Sequence, residues 1–316
     1  MKRLSVILLF AFILVITSCI KPDVFEPELG NYALKFSFIK IFGGAGSAEG
    51  KCNVIWDLDV DSKGNLFVVD HGNHSIQVFS ADGQFIRAFG SPGTGDGEFD
   101  GPLGIFIDKD DNIWVVDAGS NCRVQKFTSS GVFLMKFGEF GHNDGQLDFP
   151  QDIAVDSTGR IYVADSDNNR VQIFSKNGTF LDSWVYSGTE NICSIAVDRY
   201  DHIYVMDEDG CRVIKYNTNG TIITEFGSPG TGPGQFTDPI RLAMDNNGYI
   251  YVCDVDSVKF AKFNPDGEFI TEYKKAGTED YQLESPWAVG VSPDGKYVYV
   301  AEMVTHEIKI FEQKIK

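Results

Sequence analysis

The sequence predicts an all-β protein, a six-bladed β-propeller whose blades are four-stranded antiparallel sheets. Short apolar strands end in a carboxylate every 42 to 48 residues, at Asp70, Asp117, Asp165, Asp207, Asp254 and Glu302. Apolar residues alternate along these strands, and glycine, aspartate and asparagine separate them. Repeats of this period bury their faces only against neighbouring copies, so function is sought where the copies differ.

The first strand of each copy has apolar residues at alternate positions. One such position holds Leu58, Ile105, Ile153, Ile195, Leu242 and Val289. A period of two with one apolar face indicates a strand that packs against another sheet. In copy three the four strands are predicted over Asp152–Asp156, Arg160–Asp165, Val171–Phe174 and Phe180–Trp184.

Tight turns connect the strands within each copy. The first turn reads DSKGN, DKDDN, DSTGR, DRYDH, DNNGY and SPDGK in the six copies. Glycine supplies the positive φ that such turns need, and aspartate or asparagine accepts hydrogen bonds from backbone groups two residues on. Turn chemistry therefore explains these acids without a calcium ion.

The last copy lacks an outer strand. It provides Trp287–Val291, Tyr297–Ala301 and Ile308–Phe311, and the segment Phe38–Phe42 near the other end matches the outer strands of other copies. We therefore predict that this N-terminal strand completes the sixth blade, which closes the ring and removes its open edge.

The N-terminal segment is predicted to be a secretory signal. Lys2 and Arg3 precede an apolar run of 13 residues, which is too short to span a bilayer as a mature helix. The following Ile-Thr-Ser-Cys19 resembles the lipobox of prokaryotic lipoproteins. The predicted domains are a signal peptide (1–18), a lipidated Cys19 with a flexible tether (19–33) and a propeller (34–316), in the cell envelope, lipid-anchored and extracytoplasmic.

The charge of the chain excludes one class of partner. The formal net charge is -18, and it becomes -20 once Lys2 and Arg3 are removed, with 25 basic against 45 acidic residues. Affinity for nucleic acid comes from lysine and arginine that neutralise phosphates. We therefore predict no binding to DNA or RNA, and contact with a membrane through the lipid anchor only.

Copies two and three resemble the NHL repeat. The resemblance is carried by Pro102-Leu-Gly-Ile, by Asn121-Cys-Arg-Val-Gln and by Asn168-Asn-Arg-Val-Gln, each followed by an aromatic strand end. It implies a propeller over the whole mature chain. The resemblance does not indicate which function this chain has, because that family includes a zinc lyase, RNA binders, receptor sensor modules and scaffolds.

The carboxylates that end the second strands are predicted to be structural. We expect them to accept hydrogen bonds from backbone N–H groups of the loop that follows each strand. Arg123, Arg170 and Arg212, one per blade, are expected to pair with them.

Residues at the start of each first strand surround the mouth of the central channel. Trp56 and Trp287 fall in copies one and six, which become neighbours when the ring closes. The two indoles either form a stacking platform for a sugar or another flat ligand, or plug the channel. The candidate ligand-binding residues in this sector are Trp56, Asp57, His71, Arg241, Trp287 and Glu302.

Asp57 and Asp152 are weak candidates for a metal site, since calcium prefers carboxylates and carbonyls. The resemblance implies a structural calcium at the channel, as in the amidating lyase of the NHL family. That lyase also binds zinc through histidines at the start of its first strands. The corresponding positions here hold Trp56, Leu103, Gln151, Cys193, Ile240 and Trp287, so its zinc chemistry is not expected.

Five cysteines follow Cys19, and none forms a C-x-x-C pair. We expect buried free thiols. If one disulfide forms, Cys193 or Cys211 with Cys253 is the expected kind.

These observations predict a monomeric binding or scaffold propeller that recognises a protein or glycan partner at its loop-rich face. The alternative is a propeller enzyme of the lyase, hydrolase or lactonase type with a cation at the channel, and a purely structural envelope scaffold is the third possibility. No catalytic residue is assigned, and a structural calcium at the channel is the one cofactor considered. Copy three is about five residues short between Trp184 and Ile192, which predicts a notch near blades three and four.

Overall fold

The structure is a computed structural model that describes residues 34–185 and 191–315. The predicted signal peptide, Cys19 and the tether lie outside the described residues. Contacts divide the chain into Met1–Ala33 and Leu34–Lys316, and the fold below is that of the second unit. Within the described part of the chain, no helix has the length and apolar character needed to cross a membrane.

Six four-stranded antiparallel sheets form this unit, so the predicted six-bladed propeller is confirmed. Blade 1 contains β2 (Ile55–Val60), β3 (Leu66–Asp70), β4 (Ser75–Phe79) and β5 (Phe85–Phe89), with a short 3-10 turn at His71–Asn73. Blade 2 contains β6 (Pro102–Ile107), β7 (Ile113–Asp117), β8 (Arg123–Phe127) and β9 (Phe133–Phe137). Blade 3 contains β10 (Pro150–Val155), β11 (Ile161–Asp165), β12 (Arg170–Phe174) and β13 (Phe180–Val185).

The other three blades repeat this order from the axis outwards. Blade 4 contains β14 (Ile192–Val197), β15 (Ile203–Asp207), β16 (Arg212–Tyr216) and β17 (Ile222–Phe226). Blade 5 contains β18 (Pro239–Met244), β19 (Ile250–Asp254), β20 (Lys259–Phe263) and β21 (Phe269–Tyr273). Blade 6 contains β22 (Pro286–Val291), β23 (Tyr297–Glu302), β24 (Glu307–Ile315) and, as its outer strand, β1 (Leu34–Gly43).

The ring closes as predicted, through a longer ladder than the sequence pattern indicates. β1 pairs with β24 from Leu34 opposite Ile315 to Gly43 opposite Glu307, with one irregularity between Phe38 and Lys40. The apolar pattern identified only the central part of both strands. The additional residues also contact blade 5: Phe36 is buried with its ring centroid 4.7 Å from that of Phe260, and Gln313 accepts a hydrogen bond from Lys262 Nζ at 2.8 Å.

One apolar cluster fills each of the six interfaces between neighbouring blades. At the closing interface, Leu58 and Val68 of blade 1 pack with Tyr299 and Ala301 of blade 6. Full burial of a large apolar side chain contributes about 1.5–3 kcal/mol, so each interface is held mainly by apolar packing. The alternating pattern of the first two strands therefore places the core between blades rather than at the axis.

The carboxylates that end the second strands, and the arginines Arg123, Arg170 and Arg212, hold the connections between blades by hydrogen bonds and ion pairs. Asp117 accepts the N–H of Asp100, 2.7 Å away, and Arg123 Nε lies 3.1 Å from Asp117. Arg123 also donates to the carbonyls of Thr94 and Gly95. The expected arginine pairs are confirmed. The N–H group that Asp117 accepts comes from the connection before the first strand, whereas Asp207 accepts the N–H of Gly210 in the loop that follows its strand, as expected.

Candidate functional site

The loop face of the ring is defined as the side where blade connections and the loops between second and third strands emerge. Every first strand begins there with a shift of register, for example between Ile55 and Asp57 and between Pro286 and Ala288. A β-bulge leaves one residue unpaired and redirects its side chain. In blades 1 and 6 the extra residues are Trp56 and Trp287, which is why both indoles reach the mouth of the channel.

Trp56 and Trp287 meet as the closed ring predicts. Their ring centroids are 5.3 Å apart at an interplanar angle of 69°, and His71 lies 5.1 Å from Trp56. His71 Nδ1 is 3.1 Å from the carbonyl oxygen of Pro102. The edge-to-face arrangement presents no two parallel faces to a ligand, and both indole N–H groups are buried without a hydrogen-bond partner among the described residues. This geometry suits a plug better than a stacking platform.

Asp57, Asp152 and Arg241 form a buried charged cluster one residue further into the channel. Arg241 is 2% exposed, and its Nε lies 3.9 Å from Asp57 Oδ1. Its Nη1 donates to the carbonyls of Cys193 (2.8 Å) and Ile240 (3.0 Å). The three side chains come from blades 1, 3 and 5, so the cluster links alternate blades across the axis.

The two aspartates of this cluster bind the inner edges of neighbouring blades. Asp57 accepts the N–H groups of Leu58 (2.8 Å) and Ile105 (3.0 Å). Asp152 accepts those of Ile153 (2.8 Å) and Ile195 (2.9 Å). Each carboxylate therefore joins its own blade to the next one.

Burial dominates the electrostatics of the cluster. Burial and the negative charge of Asp152 raise the pKa of Asp57 well above its usual range, while Arg241 opposes the shift. Burial also raises the pKa of Asp152, again against the effect of Arg241. The single guanidinium between them thus stabilises two carboxylates that are removed from water.

The residues present do not fit the calcium ion that the family resemblance implies. All four oxygens of Asp57 and Asp152 accept hydrogen bonds, and Arg241 supplies the positive charge at this level. Calcium needs six to eight oxygen ligands. Within residues 34–185 and 191–315, no group of three or more His, Cys, Asp or Glu side chains is placed to hold a metal ion.

Glu302 is not brought to the mouth with the other candidates. It is fully buried at the end of β23, where it accepts the N–H groups of Glu284 (3.1 Å) and Ser285 (2.6 Å). Lys309 Nζ lies 3.5 Å from its other oxygen. Burial raises the pKa of Glu302, and the hydrogen bonds and Lys309 oppose this. Glu302 thus has the same structural role as Asp70, Asp117, Asp165 and Asp254, which also accept N–H groups of the connection before the first strand.

Two further residues of the axial cluster were missed by sequence reasoning. Ser194 donates to Asp152 Oδ2 at 2.7 Å and accepts the N–H of Leu242 at 3.2 Å, which extends the links from blade 3 to blade 5. Gly104 lets Asp152 approach, because a Cβ there would lie 2.7 Å from Asp152 Cα. The signal was present in the sequence, since both residues occupy the repeat position of Asp57, Asp152 and Arg241.

The turn face is the side of the ring opposite the loop face, where the turns between first and second strands emerge. It contains a cavity of about 740 Å3. Its floor is the last residue of each first strand: Val60, Ile107, Val155, Val197, Met244 and Val291. Asp59 also lines the cavity, and it accepts the N–H groups of Val60 (2.8 Å) and Ile107 (2.7 Å). Burial raises its pKa to about 7, the two N–H groups opposing the shift.

A smaller groove of about 250 Å3 lies between blades 3 and 4, where the short connection predicts a notch. Trp184, Val185 and Ile192 line it on the side of the connection, and Tyr216 and Ile222 line it on the side of blade 4. Residues 186–190 of the connection lie outside the described residues. The five described cysteines are buried and free, as expected.

Comparison with known proteins identifies the class to which this fold and channel belong. The sequence matches the family described as "6-bladed beta-propeller" over residues 57–127 and 187–313, which is more than half of the chain. The chain therefore belongs to the 6-bladed beta-propeller family. Residues 147–174 also match the NHL repeat, which bears out the resemblance of copy three. A search of curated proteins finds no match to this sequence.

Solved structures share the fold at low sequence identity. One described as a streptogramin B lyase is 14% identical, with a TM-score of 0.61 over 89% of this chain and 98% of its own. Virginiamycin B lyase from Staphylococcus aureus is 16% identical, with a TM-score of 0.60 over 89% and 99%. A protein of unknown function from Bacteroides thetaiotaomicron is also 16% identical, with a TM-score of 0.64 over 90% and 76%. Likeness at this level of identity establishes the fold alone.

Proposed function

We propose that this chain is a monomeric binding propeller, anchored to the extracytoplasmic side of an envelope membrane by a lipidated Cys19, that recognises a protein partner at its loop face. A glycan partner is the competing outcome of the test below. The enzyme alternative, with a cation at the channel, stays a prediction, and the occupied oxygens of Asp57 and Asp152 do not favour it.

The observation that carries the proposal is the conformation of Phe149. This residue precedes the first strand of blade 3, has a φ of 47° and is 38% exposed. The same repeat position in blade 2 is Gly101, with a φ of 106°. A bulky residue in the left-handed region is an outlier that costs on the order of 1–3 kcal/mol, and proline at the next position restricts it further.

Over a third of Phe149 faces solvent, so burial of its ring offsets that cost only in part. Phe140, in the same blade connection, is 60% exposed. Strained and exposed aromatic residues are typical of contact sites, where the strain is retained for binding. Aromatic side chains are also enriched at protein interfaces, whereas the edge-to-face Trp56 and Trp287 pair offers a glycan no flat platform.

Phe149→Gly tests the proposal without damaging the fold. Glycine adopts this φ freely, so the variant should be neutral or up to about 1 kcal/mol more stable in urea unfolding. Partner capture should nevertheless fall. The assay is photo-crosslinking through a benzoylphenylalanine at position 140 in envelope preparations, with the crosslinked species identified by mass spectrometry.

Leu134→Ser is the matched control, since Leu134 is 48% exposed on an outer strand away from the loop face. A protein crosslink that is lost in Phe149→Gly and kept in Leu134→Ser supports the proposal. Equal capture by both variants, or a glycan as the sole bound material, would contradict it. The tether is tested separately: Cys19→Ala should move the protein from the membrane to the soluble fraction, and retention in the membrane would exclude lipid anchoring at Cys19.

A further inference from the structure

The cavity on the turn face is open to a ligand and is chemically asymmetric. It encloses about 740 Å3 and is lined by all six inner strands. Pockets for small molecules typically measure about 300–1,000 Å3 and combine an apolar lining with a few placed polar groups. The residue that each first strand contributes to the floor of the cavity is apolar. Among the first-strand residues that line the cavity, Asp59 is the charged one.

Asp59 breaks the repeat in a specific way. The corresponding positions of the other blades hold Phe106, Ala154, Ala196, Ala243 and Gly290, so five copies have no polar side chain there. Asp59 joins the inner strands of blades 1 and 2 through the N–H groups of Val60 and Ile107, but the other five blades keep the same strand geometry without an acid at this position.

Asp59 has no cationic partner among the described residues. Each of its oxygens accepts one backbone N–H, from Val60 and from Ile107, and the other charges that act on it are those of Asp152 and Asp61. Four basic side chains line the cavity, Lys109, Lys126, Lys176 and Arg199, and none of them forms an ion pair with Asp59 in the part of the chain that the structure describes; Lys109 pairs with Asp110, and Lys126 with Asp108. A half-buried carboxylate that has acidic neighbours and no cationic partner is stabilised by a cation that enters from solvent.

We infer that this cavity is a binding site for a small organic cation with an apolar body, whose ammonium group reaches Asp59 while its hydrocarbon part packs on the apolar floor. A metal ion fits the site poorly, because Asp59 contributes a single carboxylate and the first-turn aspartates are engaged in their own turns. This site is on the opposite face from the proposed partner site and does not depend on it.

The test uses the full chain and 2-phenylethylammonium as the probe, with 2-phenylethanol as its uncharged match. Binding is followed by ligand-observed NMR titration at pH 8. The amine should bind at least about tenfold more tightly than the alcohol, the equivalent of 1.4 kcal/mol. Asp59→Asn should abolish this preference, and Met244→Trp should weaken binding of both compounds by narrowing the cavity.

Asp182→Asn serves as the control, since Asp182 is an exposed carboxylate on β13. The affinity for the amine should fall about tenfold per pH unit below pH 7, as Asp59 takes up its proton. Lack of binding by the wild type, equal affinity for amine and alcohol, or unchanged binding in Met244→Trp would each overturn the inference. Circular dichroism verifies that the variants are folded. If Asp59→Asn does not fold, Met244→Trp still tests whether the two compounds bind in this cavity.

Discussion

Asp59 is expected to make the stability of the propeller depend on pH. Its pKa rises from 3.8 to about 7 in the folded state, chiefly through burial. A carboxyl group with a higher pKa in the folded than in the unfolded protein binds its proton more tightly when folded. Its contribution to stability is therefore fully present below pH 3.8 and is lost as the pH rises to about 7.

The size of the stability loss follows from the pH range between the unfolded and folded pKa values of Asp59. Between pH 5 and pH 8 the wild type should lose about 2.6 kcal/mol through Asp59, at up to 1.36 kcal/mol per pH unit, and most of this loss should occur below pH 7. Asp59→Asn does not titrate. Its amide group would face one of the two N–H groups of Val60 and Ile107, which costs about 1–3 kcal/mol. The variant should thus be less stable than the wild type at pH 5, and that difference should largely disappear by pH 8.

Urea unfolding at pH 5, 6, 7 and 8 measures this directly, as the difference in free energy of unfolding between wild type and variant. Asp182→Asn, at an exposed carboxylate, should leave the pH profile of the wild type unchanged. If Asp59→Asn and the wild type lose stability in parallel across this range, Asp59 does not titrate near pH 7 and the reasoning fails.

Other parts of the fold yield three further predictions. Arg241→Met should cost about 3–5 kcal/mol at pH 7, because Asp57 and Asp152 lose their buried cation, and the loss in urea unfolding should shrink towards pH 4 as both carboxylates protonate. Gly104→Ala should lower the melting temperature, because the new Cβ would lie 2.6 Å from the carbonyl oxygen of Gln151; an unchanged Tm would refute this close approach. The five described thiols should resist a thiol reagent until the protein unfolds, and rapid labelling of the native state would show that burial is incomplete.

The architecture was predictable because it depends on the period of the repeat and on alternation along the strands. Both patterns report directly which faces are buried, as Leu58 and its counterparts show. Closure by the N-terminal strand followed from one missing outer strand. The full length of β1 and β24 was not predictable, because the burial of Phe36 and the hydrogen bonds of Gln313 to Tyr251 and Lys262 depend on contact with blade 5.

The candidate site was predictable only in part. The meeting of Trp56 with Trp287 follows from ring closure, but their edge-to-face packing depends on bulges that the sequence pattern does not reveal. Glu302 was grouped with them because its position along the chain says nothing of its depth beneath the connection at Glu284 and Ser285. Asp59 was recognisable as an exception in its column, but the size of the cavity that it faces is a property of the whole ring.

The pairing of Leu34 with Ile315 sets the order of events during biosynthesis. At about 5–20 residues per second, the ribosome needs roughly 15–60 s to make the chain that separates these two residues. The outer strand of blade 6, β1, is therefore synthesised early and pairs with β24 only at the end. Until then its backbone N–H and C=O groups are unpaired and can bind other chains. A chaperone that holds the newly made N-terminal region would protect the protein from aggregation at this stage.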